Sequence, residues 1–372
     1  MSDAVYRNLA RHLDNLPGGF PATESGVEQR ILRRLFTPDD AALALHLTLI
    51  PEPASAIAAR AGLDEAAAEG QLARMAGEGL IFRVRRGEQA LYQATQYVIG
   101  IWEFQLNRLD PGLIQDMEEY LPTLFRPEEW SRGPQLRVIP VGESVPVARE
   151  VLPYEDAAAI IRANRRIAVA PCICRRERGL TGQPCDHPQE TCLTFGWAAD
   201  YYVENGLGRR IGADEALTIL AQAEQAGLVL QPGGSQQPGN ICCCCACCCR
   251  VLEAYRRHPQ PARLVSSPFV IAADAEACAG CGDCVERCPM EALSLVDERV
   301  ASNPERCIGC GQCATVCPSG CLELVRKPEP LQPRVPRDSV RAAVKLALAR
   351  GKALPLAGHS LRAGVSRLKG GS

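Results

Sequence analysis

Apolar residues near the start of the chain recur at helical spacing. Four of them fall on one face of a predicted helix, and Ser25 followed by Glu28 predicts a capping box at its beginning: Ile31, Leu32, Leu35 and Phe36. Thr37 followed by a proline and a carboxylate predicts the start of a second helix over roughly residues 38–48. The pattern therefore predicts a helical N-terminal region.

A short helix and a longer helix are predicted next, joined by a turn at Gly62, and an alternating segment around Gly87 predicts a two-stranded hairpin. In its order of helix, turn, helix and hairpin, this region resembles a winged-helix domain. The resemblance implies DNA binding, with the second helix of the pair in the major groove.

The charges of that second helix argue against DNA. Residues 64–79 carry one cation, Arg74, against four carboxylates that would repel phosphates: Asp64, Glu65, Glu69 and Glu78. Only the hairpin supplies further cations, at Arg83, Arg85 and Arg86. A protein-interaction module is the favoured interpretation, and DNA is a possible but disfavoured partner.

Further along, strand and helix patterns alternate. Strands are predicted at 136–141 and 167–171, and helices near 154–163, near 195–205 and before Gly227. The fold class is multidomain α+β. We expect a winged-helix-like domain over 1–125, a linker over 126–150, a cysteine-rich mixed domain over 151–262, a third domain over 263–326 and a basic tail with one helix over 327–372.

Composition changes this picture mainly through cysteine. The 372 residues carry a net charge of −2 and include 20 cysteines. No apolar signal region opens the chain and no run of about 18 apolar residues occurs, so we expect a cytoplasmic protein without a transmembrane segment. Because the cytosol keeps thiols reduced, metal or cluster ligation is the expected role of these cysteines.

The third domain contains the same cysteine motif twice. Each copy reads C-x2-C-x2-C-x3-C-P, the bacterial pattern that binds 4Fe-4S clusters: Cys278, Cys281, Cys284 and Cys288, then Cys307, Cys310, Cys313 and Cys317. Glycines within each motif allow the loop to wrap closely.

The fourth cysteine of each motif starts a helix that a proline then stops, and this directs its thiolate toward the other cluster. Cys278, Cys281, Cys284 and Cys317 would hold one cluster, and Cys307, Cys310, Cys313 and Cys288 the other. The domain resembles a bacterial two-cluster ferredoxin, which implies two 4Fe-4S clusters. Cys321 has no place in either set and is predicted to be a small buried residue.

The middle domain holds eleven more thiols, seven of them within residues 242–249. Seven thiolates so close together would repel, so a cation or a cluster must neutralise several of them. On an extended backbone the side chains of Cys242, Cys244 and Cys248 would point to one face. On a helix the side chains of Cys242, Cys245 and Cys249 would share a face instead. The candidate ligands are Cys172, Cys174, Cys185, Cys192, Cys242, Cys244, Cys245 and Cys248.

Three interpretations of these thiols stay open: one or two further iron–sulfur clusters, which we favour, a structural zinc site, or a redox-active thiol pair. His187 could ligate, although a loop histidine is more often solvated. A C-x-C pair, two spaced cysteines and a later dense run resemble a region of multidomain ferredoxin-like proteins whose role is unassigned. That resemblance implies cluster chemistry.

The sequence therefore predicts an iron–sulfur electron-transfer protein. Single electrons would pass through two C-terminal 4Fe-4S clusters to or from the middle site and a partner redox protein or oxidoreductase complex. We expect a carrier or an oxidoreductase subunit rather than a stand-alone enzyme, because no nucleotide loop or acid–base pair is evident. The alternative is a redox-responsive transcriptional regulator that binds DNA through the winged helix.

Overall fold

The structure is a computed structural model that describes residues 2–144, 151–355 and 357–358. It contains two compact units: the described residues of 1–126, 201–207 and 343–372 form the first, and those of 127–200 and 208–342 form the second. Helix and strand are mixed in both units. Among the described helices, none combines the length and the apolar character needed to cross a membrane.

The first unit is mainly helical. Its elements are α1 (Ser2–Asp14), α2 (Val27–Leu35), α3 (Pro38–Ala44), α4 (Ala54–Ala61), α5 (Glu65–Gly77), β1 (Phe82–Arg86), β2 (Gln89–Gln93), α6 (Trp102–Phe104) and α7 (Pro111–Leu124). The expected helix, turn, helix, hairpin order is present in α4, α5, β1 and β2, with Gly62 left-handed at the turn. Assignment of this unit to the winged-helix class stays a prediction.

The two predicted helix starts have different outcomes. The helix start predicted at Thr37 is confirmed, because Thr37 is the N-cap of α3 and its hydroxyl accepts the Asp40 amide, although the helix ends at Ala44 rather than near residue 48. The box predicted at Ser25 is wrong. The Thr23 hydroxyl instead accepts the Val27 amide at 3.1 Å and donates to Glu28, which leaves Ser25 bonded to a distant carboxylate. Gly26, which directly follows Ser25, has a left-handed backbone and takes the N-cap position of α2.

The second unit is built on one five-stranded antiparallel sheet and two smaller two-stranded sheets. Its elements are α8 (Pro127–Trp130), α9 (Ala157–Arg162), β3 (Ile167–Pro171), α10 (Ile173–Leu180), β4 (Glu190–Phe195), α11 (Trp197–Glu204, whose end belongs to the first unit), β5 (Arg209–Ile211), α12 (Ala213–Gln225), β6 (Val229–Pro232), β7 (Asn240–Cys244), α13 (Arg250–Arg257), β8 (Phe269–Ala273), α14 (Asp283–Arg287), β9 (Leu293–Val296), β10 (Arg299–Ser302), β11 (Leu322–Arg326) and α15 (Ser339–Ala349, which spans the boundary between the units).

The large sheet has the strand order β5-β3-β4-β7-β6. Directly opposite residues share a face, so the register Ala170, Cys192, Cys242 and Gln231 forms one row across four strands. The other face carries the apolar residues that pack with α9 and α12, among them Val169, Leu193, Ile241, Cys243 and Leu230. The sheet therefore separates the thiols of β7 onto two faces.

The C-terminal part of this unit contains β8 paired with β11, and β9 paired with β10. The short helix α14 lies within the first cysteine motif and ends at Cys288, and a single 3-10 turn at Ala314–Val316 lies within the second and ends at Cys317. The prediction that the fourth cysteine of each motif starts a helix is therefore wrong. The first motif lies between β8 and β9, and the second lies between β10 and β11.

Residues 127–144 differ from the linker expected over 126–150. Trp130, Leu136, Val138 and Ile139 are buried in the second unit, and Trp130 donates to the Tyr255 hydroxyl at 2.8 Å. The strand expected at 136–141 is reduced to isolated bridges with neighbouring segments, because its residues pair alternately with different partners. Residues 145–150 of the expected linker lie outside the described residues.

The boundary expected at 262/263 falls inside the second unit. The buried side chain of Gln312 donates to the Leu228 carbonyl at 2.7 Å, and Arg287 donates to the Gln225 carbonyl at 2.8 Å. Gly142 also donates to Glu224 at 2.9 Å. These contacts join the sheet region to the region that carries the repeated motif.

Candidate metal centres

One cavity in the C-terminal region is lined by four cysteines. Cys288 of the first motif lines it together with three cysteines of the second: Cys307, Cys310 and Cys313. We call these four the closed set. Apolar side chains, including Ile271, Met290 and Leu324, complete the lining.

Backbone amides point at the sulfurs of the closed set. Ile271 donates to Cys307 Sγ at 3.4 Å, and Ala292 donates to Cys288 Sγ at 3.2 Å. Gly309 is left-handed, with φ +69°, and a Cβ there would overlap the Phe269 carbonyl oxygen, so both the backbone conformation and the close approach require glycine. Burial raises the pKa of the Cys310 thiol to about 12, so deprotonation at neutral pH needs a compensating cation.

The remaining motif cysteines form a second neighbourhood. Burial raises the pKa of Cys284, and the nearby sulfurs of Cys317, Cys281 and Cys278 raise it further. We call these four the open set, because Cys281 is exposed to solvent. The amides of Gly280 and Val300 donate to Cys278 Sγ at 3.4 and 3.3 Å.

Cys321 lies beside the open set. It is buried, as expected, and its sulfur is 3.4 Å from Cys317 Sγ. Burial is the main reason that its pKa rises to about 11. A neutral thiol at this position fits a packing role.

The middle sheet brings six thiols into one continuous series. The thiols of neighbouring members interact and shift one another's pKa values, in the order Cys192, Cys242, Cys244, Cys249, Cys174 and Cys172. We call this series the inner thiol group. Cys192 and Cys242 are opposite each other on β4 and β7, and Cys244 is two residues further along the same face.

Two helices begin at the inner thiol group. Cys172 is the N-cap of α10, and Cys249 is the N-cap of α13. Contacts with Cys174 and Cys244 lower the pKa of Cys249 against the effect of burial, and the amides of Leu252 and Val251 add to the lowering. Helix N-termini favour negative charge, so both ends stabilise thiolates or an anionic group here.

A buried arginine faces the same thiols. Arg175 is 1% exposed, and its guanidinium donates to the Cys243 carbonyl at 3.2 Å and to the Thr191 hydroxyl. Burial acts to lower its pKa, but the sulfurs of Cys172, Cys245 and Cys244 outweigh burial and raise it. Its buried Nε lacks a hydrogen-bond partner among the described residues. A buried cation with an unused donor fits an anionic iron–sulfur cluster held by these thiols.

A separate group lies in the loops beside the sheet. Cys185, His187, Cys245 and Cys247 place their ligand atoms within 4.8 Å of one another. We call these four the loop group. Burial lowers the pKa of His187, and the cation Arg175 lowers it further.

The predicted middle ligands are thus divided. Cys172, Cys174, Cys192, Cys242 and Cys244 meet in the inner thiol group, whereas Cys185 and Cys245 meet in the loop group. Cys248 is buried against the apolar core, with its sulfur 3.7 Å from Cys247 Sγ.

Sequence reasoning did not select Cys247, Cys249 or His187 as ligands. Cys249 directly precedes the amphipathic segment of α13, and this N-cap position was the available signal for it. For His187 the signal was its proximity to Cys185 in the chain. Cys243 turns to the opposite face and packs with the apolar core.

All twenty cysteines lie in the described part of the chain, and none forms a disulfide there. The cysteine arrangement defines a class of site, the iron–sulfur centre. Residues 270–318 match the family model of the 4Fe-4S dicluster domain. The chain therefore carries a 4Fe-4S dicluster domain in its C-terminal part. No curated protein and no solved structure matches the chain.

Proposed function

We propose that the protein transfers single electrons through two 4Fe-4S clusters and a third iron–sulfur centre in the middle sheet. The open set and the closed set each supply four thiolates to one C-terminal cluster. The inner thiol group supplies the ligands of the third centre. When bound, such clusters accept and release one electron at a time.

The observation that carries the proposal is the composition of the closed set. Cys288 comes from one motif and three cysteines from the other, and all four line the same cavity. This is the crossed ligand set expected for a two-cluster ferredoxin. The match of residues 270–318 to the dicluster family supports the same assignment.

The two sets differ in their access to solvent, which suggests where a partner docks. The closed set is lined by apolar side chains, whereas Cys281 of the open set is exposed. Leu295 and Val296 of the neighbouring hairpin are 40% and 57% exposed. Exposed carboxylates are frequent in this part of the chain, at Asp274, Glu276, Asp283, Glu286, Asp297 and Glu298. A redox partner with a basic rim around an apolar patch would complement this surface.

The sheet provides a short connection from the closed set to the inner thiol group. Gln312, next to Cys313, donates to the Leu228 carbonyl at 2.7 Å. Leu228 precedes Val229, which is directly opposite Cys244 in the β6–β7 pair. The chain thus links the two sulfur sets through one side-chain hydrogen bond and one strand pair.

Metal counting tests the proposal. Protein purified and reconstituted without air should contain about twelve irons and twelve acid-labile sulfides if the inner thiol group binds a cube, whereas about eight of each would confine the clusters to the C-terminal sets and contradict the third centre. Cys310→Ser should remove about four irons, while Cys321→Ser, a matched thiol outside the ligand sets, should keep them. A reconstituted protein that lacks acid-labile sulfide would refute the proposal.

The DNA-binding alternative receives no support from Arg74, Arg83 and Arg85 of the first unit. Arg74 forms ion pairs with Asp40 and Glu78, and both Arg83 and Arg85 pair with Glu204. Cations already neutralised by carboxylates contribute little to phosphate binding. A mobility-shift assay with genomic fragments at low salt should show no retarded complex.

A further inference from the structure

The loop group is compact. Its four ligand atoms, three thiol sulfurs and one imidazole nitrogen, all lie within 4.8 Å of one another. Cys247 Sγ is 3.8 Å from His187 Nδ1. Cys185 and His187 come from the segment between α10 and β4, and the two other cysteines come from the turn between β7 and α13.

These distances fit a single metal ion better than a cluster. Four ligands around one tetrahedral zinc ion, with bonds of about 2.0–2.3 Å, are separated from one another by about 3.3–3.8 Å. In a cuboidal cluster each thiolate binds a different iron atom, so the sulfurs lie farther apart. Three cysteines and one histidine are also a donor set typical of structural zinc.

The surroundings compensate the charge of such a site. Three thiolates and a neutral imidazole around one divalent cation leave one net negative charge. Arg175 interacts electrostatically with the Cys245 sulfur, so a buried guanidinium is available to balance it. Arg175 also faces Cys172 and Cys244 of the inner thiol group, which places this cation between the two groups.

We infer that Cys185, His187, Cys245 and Cys247 bind one zinc ion, distinct from the iron–sulfur centres. The ion clamps the loop before β4 to the turn after β7. The segments so joined carry four inner thiols: Cys174, Cys192, Cys244 and Cys249. The clamp thereby holds the inner thiol group in its arrangement. The zinc site is independent of the proposed electron transfer, and the two can be tested separately because zinc and iron are measured separately.

Element-specific spectroscopy on the intact, anaerobically purified protein with its iron in place tests the inference. Zinc analysis should give about one ion per chain. Zinc K-edge EXAFS should show three sulfurs at about 2.3 Å and one nitrogen at about 2.0–2.1 Å. A shell of four sulfurs, or less than about 0.2 zinc per chain after supplementation with zinc chloride, would overturn the assignment.

Substitutions of the proposed ligands provide a second test of the zinc site. His187→Cys should keep the zinc and convert the shell to four sulfurs, a change that a merely structural histidine would not cause. Cys247→Ala should lower the zinc content at least fivefold. Cys243→Ala, a neighbouring buried thiol on the opposite face of β7, should leave the content and the shell unchanged. If His187→Cys retains a nitrogen in the shell, the site is not the one we assign.

Discussion

The glycine at position 309 allows a sharp test of how the closed set is built. Gly309 is left-handed, and a Cβ there would overlap the Phe269 carbonyl oxygen and lie 2.6 Å from Ser267 Oγ. Gly320 is also left-handed, with φ +65°, yet no atom lies within 4 Å of its Cβ position. Gly309→Ala and Gly320→Ala therefore form a matched pair in one unit.

The expected difference follows from these contacts. Both alanine variants carry the positive-φ cost of about 1–2 kcal/mol. Only Gly309→Ala adds the overlap with β8, for which overpacking costs about 1–3 kcal/mol. If iron is lost through a transiently opened state in rapid pre-equilibrium, about 2 kcal/mol corresponds to release about 30-fold faster.

The assay is the anaerobic decay of the visible cluster absorbance after addition of a chelator at a fixed low urea concentration. Gly309→Ala should lose the absorbance of the closed set about 30-fold faster than Gly320→Ala. Rates that agree within about threefold would show that close backbone approach at Gly309 does not stabilise the site.

Three further predictions concern other contacts. Arg175→Met should release the middle iron about tenfold faster or more, since a hydrogen bond to a charged group contributes about 1.5–3 kcal/mol, while the exposed Arg176→Met should match the wild type in iron-release assays. Burial acts to raise the pKa of Asp40, but Arg74 and neighbouring donors hold it below its usual range. The Asp40 carboxylate therefore stabilises the fold above about pH 4, and this contribution is lost as the pH falls. Asp40→Asn should therefore unfold about 2 kcal/mol more easily at pH 7, with the difference shrinking below about pH 4 in denaturant titrations followed by circular dichroism; an undiminished difference at pH 3 would contradict this. Gln312→Leu leaves a buried carbonyl of the middle sheet unpaired and should lower the free energy of unfolding by about 1–3 kcal/mol, and an unchanged denaturation midpoint would contradict the role of this contact.

The local features of the fold followed from short sequence patterns. The helix start at Thr37, the turn at Gly62 and the hairpin around Gly87 depend on residues close together in the chain, and each is present. The box at Ser25 failed because Thr23, two residues earlier, engages the Glu28 carboxylate and accepts the Val27 amide. Burial of 127–144 could not be seen in its turn-forming composition, because it depends on strands and loops far along the chain.

The cluster ligands of the C-terminal domain could be assigned from the sequence alone. Two cysteine motifs with short, fixed spacings specify their own loops, so the dicluster assignment needed no knowledge of the rest of the chain. The middle thiols are different, because their spacing leaves several groupings open. Extended periodicity ends at Cys244, where β7 ends, and the following turn sends Cys245 and Cys247 to one group and Cys249 to another.

The division of the middle thiols into two groups depends on the tertiary structure. Strand register places Cys192 opposite Cys242, although 50 residues separate them, and the alternation of side chains across the sheet turns Cys243 away from both. Register is set by which apolar face is buried against α9 and α12, a property of the assembled unit. The composition thus indicated metal or cluster ligation, and the packing of the sheet determines which sulfurs meet.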